Sequence, residues 1–145
     1  MQKIIIYGNY EAGKEPVYGS GLASGADIKA NITNDIIIEP GDTALIPTGI
    51  RLQIPEGYEG QIRPRSGLAL KHSITVINSP GTIDSDYRGE LQIILINHSK
   101  KSYTIHSNDR IAQLVFSPVI QAEFIQKKEL TDSDRGRNGF GSTGI

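Results

Sequence analysis

Three short segments of this 145-residue chain concentrate side chains able to do chemistry, and two of them suit an anionic ligand. Arg135-Gly136-Arg137-Asn138-Gly139-Phe140-Gly141-Ser142-Thr143-Gly144 joins four glycines to two guanidiniums, two hydroxyls and an aromatic ring. Glycine lets a backbone approach a ligand closely and aim successive N–H groups at an anion, while Phe140 offers a stacking face. A nucleotide polyphosphate fits this combination, and so does an inert solvated tail. In Pro64-Arg65-Ser66-Gly67, Ser66 suits a helix N-cap. Arg65 beside free helical N–H groups makes either an anion site or a plain cap with a surface Arg. Gly81-Thr82-Ile83-Asp84-Ser85-Asp86-Tyr87-Arg88-Gly89 packs two carboxylates, a phenol and a guanidinium into an expected hairpin tip, where Asp/Gly turn chemistry is the simpler alternative.

Two polar residues stand inside strand-like runs. Asp27, within Ser24-Gly25-Ala26-Asp27-Ile28-Lys29-Ala30, is disfavoured in a strand unless it faces outward or serves a site. Gln113, between Ala112 and Leu114-Val115, needs a hydrogen-bonding purpose if buried, and Arg110 is either its neighbour in a site or half of an ion pair. His72, His98 and His106 show no ligand spacing and read as surface or satisfied residues, and Lys100-Lys101 and Lys127-Lys128 as solvated faces.

The elements that must position these groups are strands. Of 54 apolar residues, 23 are Ile and 4 Val against 9 Leu and 8 Ala, which favours sheet and rules out a helical bundle. Gly and Pro, 23 residues together, punctuate the chain at short intervals. Strands are expected at 3–7, 26–32, 36–38, 44–46, 50–54, 74–77, 91–96, 111–116 and 122–125. Ile50, Leu52 and Ile54 alternate with Arg51 and Gln53, the pattern of a strand with one wet face. The continuous runs Ile36-Ile37-Ile38 and Ile93-Ile94-Leu95-Ile96 predict two covered faces, by a second layer or by another subunit. A short helix is expected over 66–72, and from Thr131 the chain turns polar and glycine-rich, predicting a mobile end. The whole reads as an all-β, closed or sandwiched architecture.

The balance of 15 basic and 16 acidic residues removes the global positive field of a nucleic-acid binder. No run approaches the length needed to span a bilayer, and the first eight residues are too short for a signal-peptide core, so a soluble, cytoplasmic protein is expected. Without Cys, and with three unclustered His, any metal is expected to be a hard cation held by oxygens.

Taken in order, Gly25–Ala30, Pro64–Ala69, Gly81–Glu90, Arg110–Leu114 and Arg135–Gly144 resemble the five motifs of the trimeric dUTP diphosphatase (dUTPase) family, over roughly residues 20 to 144. The resemblance implies a jelly-roll-like β-barrel subunit (residues 1–130) in a homotrimer with shared active sites. Residues 131–145 would form an arm closing over substrate at a neighbouring interface. It implies hydrolysis of dUTP to dUMP and diphosphate with Mg²⁺, which keeps uracil out of DNA and supplies dUMP for dTMP synthesis.

Residue by residue, the resemblance implies Asp84 as the base that deprotonates the attacking water, and Asp27 as the residue holding Mg²⁺ through its water shell. The phosphates would be held by Arg65, Ser66, Gly67, Gln113, Arg135, Gly141, Ser142 and Thr143. Uracil would be read by backbone groups between Asn78 and Gln92, with Thr82 and Ile83 among the contacts. Tyr87 would stand beneath the deoxyribose to exclude a 2′-hydroxyl, and Phe140 would stack on the base. Asn138 stands where the family usually has Gly, a departure eased by the tolerance of Asn for positive φ. The related dCTP deaminases place a catalytic Glu where this chain has Ile94, which disfavours deamination. A non-catalytic nucleotide-binding protein of the same fold is the remaining alternative.

Overall fold

Alternation of Ile with polar residues, interrupted every few positions by Gly, Pro or Asn, yields many short strands and one helix. The computed structural model describes residues 3–143. In chain order the elements are β1 (Tyr7–Asn9), β2 (Val17–Tyr18), β3 (Ala26–Lys29), β4 (Ile36–Ile38), β5 (Thr43–Pro47), β6 (Arg51–Gln53), β7 (Tyr58–Arg63), α1 (Ser66–His72), β8 (Ile74–Val76), β9 (Gly81–Ile83), β10 (Gln92–Asn97), β11 (Tyr103–Ile105) and β12 (Arg110–Pro118).

The strands form a five-stranded sheet of order β2-β3-β12-β7-β9, a three-stranded sheet of order β5-β10-β8, and the pairs β1-β6 and β11-β4. Every pairing is antiparallel. The result is jelly-roll-like, with hydrogen bonds divided among these four groups rather than running around one closed barrel. Inward-facing residues such as Ile28, Ile46, Ile50, Ile93, Leu95 and Leu114 fill one core between the sheets, each with none of its surface exposed. Ile93→Ala, at the centre of β10, should therefore destabilise the chain by about 2–5 kcal/mol. A fall in the denaturant midpoint with unchanged slope would register it.

Several sequence expectations change here. The run 3–7 becomes strand only from Tyr7 to Asn9, where β6 offers a partner, with Tyr7 opposite Gln53. The run 122–125 forms no strand, because β12 ends at Pro118 and the last backbone bond to a neighbour there is that of the Val119 N–H to the Gly57 carbonyl; Phe124 and Ile125 are exposed. Nor are the two Ile runs covered on both faces within the chain. Ile38 is buried but Ile37 is 61% exposed, while Ile94 and Ile96 are half-buried and alternate with the buried Ile93, Leu95 and Asn97. Strand alternation sends every second side chain outward, and this chain provides no layer over that side.

The helix falls at 66–72 as expected, but its N-cap is Arg65, extended at φ −96° and ψ 130°, with no side-chain cap hydrogen bond. Ser66 is thus the first helical residue and not the cap. The helix stops at Ser73, whose left-handed φ of 56° lets its N–H donate to the Ala69 carbonyl. Against its last turn, the Tyr103 ring lies 4.8 Å from that of His72. Burial, aided by the charge of Asp109, raises the Tyr103 phenol above its ordinary pKa. Among the described residues, no helix is long and apolar enough to cross a membrane.

Candidate active site

The chemistry-bearing residues collect in two places on the folded body, with a third group on the C-terminal segment. The first grows from β3, where Ala26 and Ile28 turn into the core, so that Asp27 must face the other side. On that side the register sets Asp27 opposite Gln113 of β12, and Gln113 opposite Arg63 of β7. The chain then leaves β7 through Pro64, and Arg65 folds back across the sheet. Its Nε donates to Asp27 Oδ1 at 2.9 Å and its Nη1 to the Arg110 carbonyl at 3.1 Å. Arg110 Nη1 donates to Asp27 Oδ2 at 3.3 Å, so one carboxylate anchors two guanidiniums and the cluster keeps a net positive charge.

Gln113 finds its purpose here, since its amide donates to the Pro64 carbonyl at 3.0 Å and fixes the approach to α1. A side chain at Gly25 would collide with that amide, which explains a glycine at the start of β3. Arg110 resolves to the ion pair. Ser66 and Gly67 follow Arg65 on the exposed first turn of α1. No cluster of three or more metal-ligating side chains exists among the described residues. Asp27 alone therefore fits only a cation that keeps most of its waters. Each of its oxygens gives one lone-pair direction to an Arg and retains another for a metal-bound water.

The second place is a cavity of about 330 Å³ lined by Thr82, Ile83, Asp84, Tyr87, Glu90, Leu91 and Gln92. The expected hairpin is not one. β9 pairs with β7 in the five-stranded sheet and β10 with β5 and β8 in the other, so residues 84–91 bridge two sheets and the cavity opens beside the bridge. β9 is the edge strand of its sheet, paired on one side with β7, while β10 finds its partners on both sides in β5 and β8. Tyr87 donates its hydroxyl to the Glu90 carbonyl at 2.9 Å, and its ring lies over Gly89, where any Cβ would strike it. Glu90 Oε1 accepts the Gly49 N–H at 2.7 Å. Asp84, by contrast, is exposed and its carboxylate has no hydrogen-bond partner among the described residues. Asn78 sits at the turn before β9, after which the Ser79–Pro80 peptide is cis, and its side chain lies over Gly81.

The third group stands apart. Arg135, Phe140, Gly141, Ser142 and Thr143 are exposed, Phe140 completely so. The hydrogen bonds of this segment stay within it, as in Arg135 Nε to the Asn138 carbonyl at 2.9 Å. Positive φ falls at Gly136, Phe140 and Gly141. Asn138 is not among these residues, so the substitution there places no side chain in a left-handed position.

This order of side chains on this fold matches known proteins. The family model for dUTPase matches residues 12–144. The chain belongs to the dUTPase family. It is 59% identical over 133 residues to the deoxyuridine 5′-triphosphate nucleotidohydrolase of Chlamydia pneumoniae, with 91% of this chain and 92% of the relative aligned. The dUTPase of Staphylococcus bacteriophage 80alpha, solved as a point mutant with dUpNHpp, superposes with a TM-score of 0.87 at 27% identity, over 99% of this chain and 100% of that one. A dUTPase mutant from phage phi11 of S. aureus, described with a structural Mg(II) ion, superposes with a TM-score of 0.78 at 25% identity, over 89% of this chain and 100% of that one.

Membership in the dUTPase family makes the chain a hydrolase. The residues that sequence reasoning passed over are those holding the cavity loop in place. Thr48 is fully buried, donates to the Leu91 carbonyl at 2.6 Å and accepts the Ile50 N–H at 3.2 Å. Gly49 adopts a φ of +69°, and a side chain there would strike the Asn31 amide. The Thr-Gly pair between Pro47 and Ile50 is the local signal, and by itself it does not point to a partner at Leu91.

Proposed function

We propose that the chain hydrolyses dUTP to dUMP and diphosphate, within a homotrimer whose active sites are shared between subunits. The observation that carries this reading is the difference between the two carboxylates lining the cavity. Glu90 is tied to Gly49 while Asp84 is free, as a group must be if it is to bind and deprotonate a water. The proton passes from water to Asp84, the water oxygen bonds to the α-phosphorus, and the bond to the bridging oxygen breaks to release diphosphate.

Arg65, Ser66 and Gly67 offer donors to the phosphates, with Gln113 supporting the segment that carries them. Arg135, Ser142, Thr143 and the backbone of Gly141 would add donors from the arm, residues 131–145. Mg²⁺, held by Asp27 through water, would neutralise charge on the triphosphate oxygens. Uracil would be read by backbone groups between Asn78 and Gln92. Because an N–H cannot become a carbonyl, cytosine's reversed edge would leave groups unpaired at about 1–3 kcal/mol each. Tyr87 would lie beneath the deoxyribose and Phe140 would stack on the base from the arm.

Among the described residues no hydrogen bond or ion pair joins the three groups, and this supports sharing between subunits. A cytoplasmic enzyme that limits uracil in DNA and supplies dUMP follows from this activity.

A panel of nucleotides tests the proposal. With Mg²⁺ present, diphosphate release from dUTP should exceed that from dTTP, dCTP or UTP by on the order of a hundredfold or more, as expected where polar groups of a site are matched to one base. Equal rates, or ammonia from dCTP, would refute it.

A further inference from the structure

A second carboxylate beside a polyphosphate site repels the ligand, so Glu90 must contribute something that offsets the repulsion. Its connections show what. Oε1 accepts the Gly49 N–H at 2.7 Å, and the carbonyl of the same residue accepts the Tyr87 hydroxyl at 2.9 Å. The next residue continues the attachment, as Leu91 donates its N–H to the Ile50 carbonyl at 2.7 Å and accepts from Thr48 Oγ1 at 2.6 Å. The turn Thr48–Ile50 that receives these bonds is itself fixed, with Thr48 and Ile50 fully buried and Gly49 pressed against Asn31.

Tyr87 has no comparable support of its own. It is 45% exposed, and its hydroxyl finds a partner only in the Glu90 carbonyl among the described residues. Its backbone N–H closes a turn onto the Asp84 carbonyl at 3.2 Å, so Tyr87 and Asp84 share one short loop. The carboxylate–amide bond at Gly49 is charge-assisted, the stronger class of hydrogen bond.

We propose that Glu90 is a positioning residue for sugar discrimination: its carboxylate ties the 84–91 loop to the Thr48–Ile50 turn, and its carbonyl thereby holds the Tyr87 hydroxyl at a set place under the sugar. This rests on the reading of Tyr87 as the wall that excludes a 2′-hydroxyl. Glu90 touches no reacting atom in this scheme, so its removal acts on selectivity through Tyr87.

The test compares kcat/KM for dUTP and for UTP in the full chain with Mg²⁺, together with thermal midpoints, for the wild type, Glu90→Ala, Glu90→Gln and Tyr87→Phe. Glu90→Ala should lower the dUTP/UTP ratio by about tenfold or more, the scale on which small misplacements of a positioning group are felt. Glu90→Gln, whose amide oxygen still accepts from Gly49, should recover most of that ratio. Tyr87→Phe, which cuts the other end of the link, should lower it comparably. An unchanged ratio in Glu90→Ala, or a Glu90→Gln as impaired as Glu90→Ala, overturns the inference. Should Glu90→Ala lack a folding transition, a full ratio in Tyr87→Phe overturns it instead. A wild type that prefers dUTP while Glu90→Ala keeps that preference defeats this inference alone, whereas a wild type without the preference defeats the dUTPase reading beneath it.

Discussion

Asp84→Asn should abolish nearly all turnover, lowering kcat by on the order of 10³–10⁴ while leaving nucleotide binding intact. Asparagine is nearly isosteric with aspartate and can still accept a hydrogen bond from water, but it cannot take the proton. A loss of that size corresponds to about 4–5.5 kcal/mol of transition-state stabilisation. Little structural disturbance is expected to accompany it, because Asp84 is exposed and its carboxylate supports no hydrogen bond among the described residues. Removing a negative charge from a cavity that receives a triphosphate also lowers repulsion, so a non-hydrolysable dUTP analogue should bind at least as tightly as to the wild type. Calorimetric titration with the analogue and steady-state diphosphate release together check this. A variant that retains kcat would remove Asp84 from the mechanism.

The same reasoning separates Asp84 from the other aspartate in play. Asp27 holds Arg65 and Arg110 and is largely covered, its side chain 18% exposed. Both of its oxygens already take charge-assisted bonds, whereas neither oxygen of Asp84 is engaged among the described residues. Asp27 is well placed to keep two guanidiniums in position near a cation's water shell. In the proposed reaction the two aspartates would divide charge handling from proton handling, a division that follows from the local bonding of each.

Much of this was legible in the residues because strand periodicity and motif chemistry are local. Arg51 and Gln53 point outward between the buried Ile50, Leu52 and Ile54, as their alternation requires. Gln113 in an apolar strand announced a hydrogen-bonding role, which Pro64 supplies. What escaped depended on partners distant in sequence. β7 contains one large buried aliphatic residue, Ile62, and its Gly60 reads as a turn; in fact a Cβ at Gly60 would press on Leu114 and Ile83, so the glycine permits close sheet packing. The bridge from β9 to β10 looked like a hairpin because only the pairing of β9 with β7 and of β10 with β5 and β8 reveals that the two strands lie in different sheets. Glu90 showed only as the end of a motif, since nothing local connects it to Gly49, forty-one residues earlier.

Deleting residues 131–145 should reduce turnover by on the order of 10²–10³ without unfolding the chain. The arm offers Arg135, two hydroxyls and the backbone of a positive-φ Gly141 as phosphate donors, and the loss of even one preorganised donor to a developing charge costs about that factor. It also offers Phe140, whose ring is wholly exposed here and gains a surface only by closing onto something. Closure would exclude bulk water other than the attacking molecule as well as stack the base, so the loss should fall on kcat and KM together. Stability should barely change. The body's last strand ends at Pro118, the described arm residues apart from the half-buried Gly139 are exposed, and their hydrogen bonds run among themselves. Surface changes of this kind alter stability by at most about 0.5 kcal/mol, so the thermal midpoint should hold while diphosphate release collapses. A truncated chain that keeps the full rate would return this segment to the inert tail that its composition equally allows.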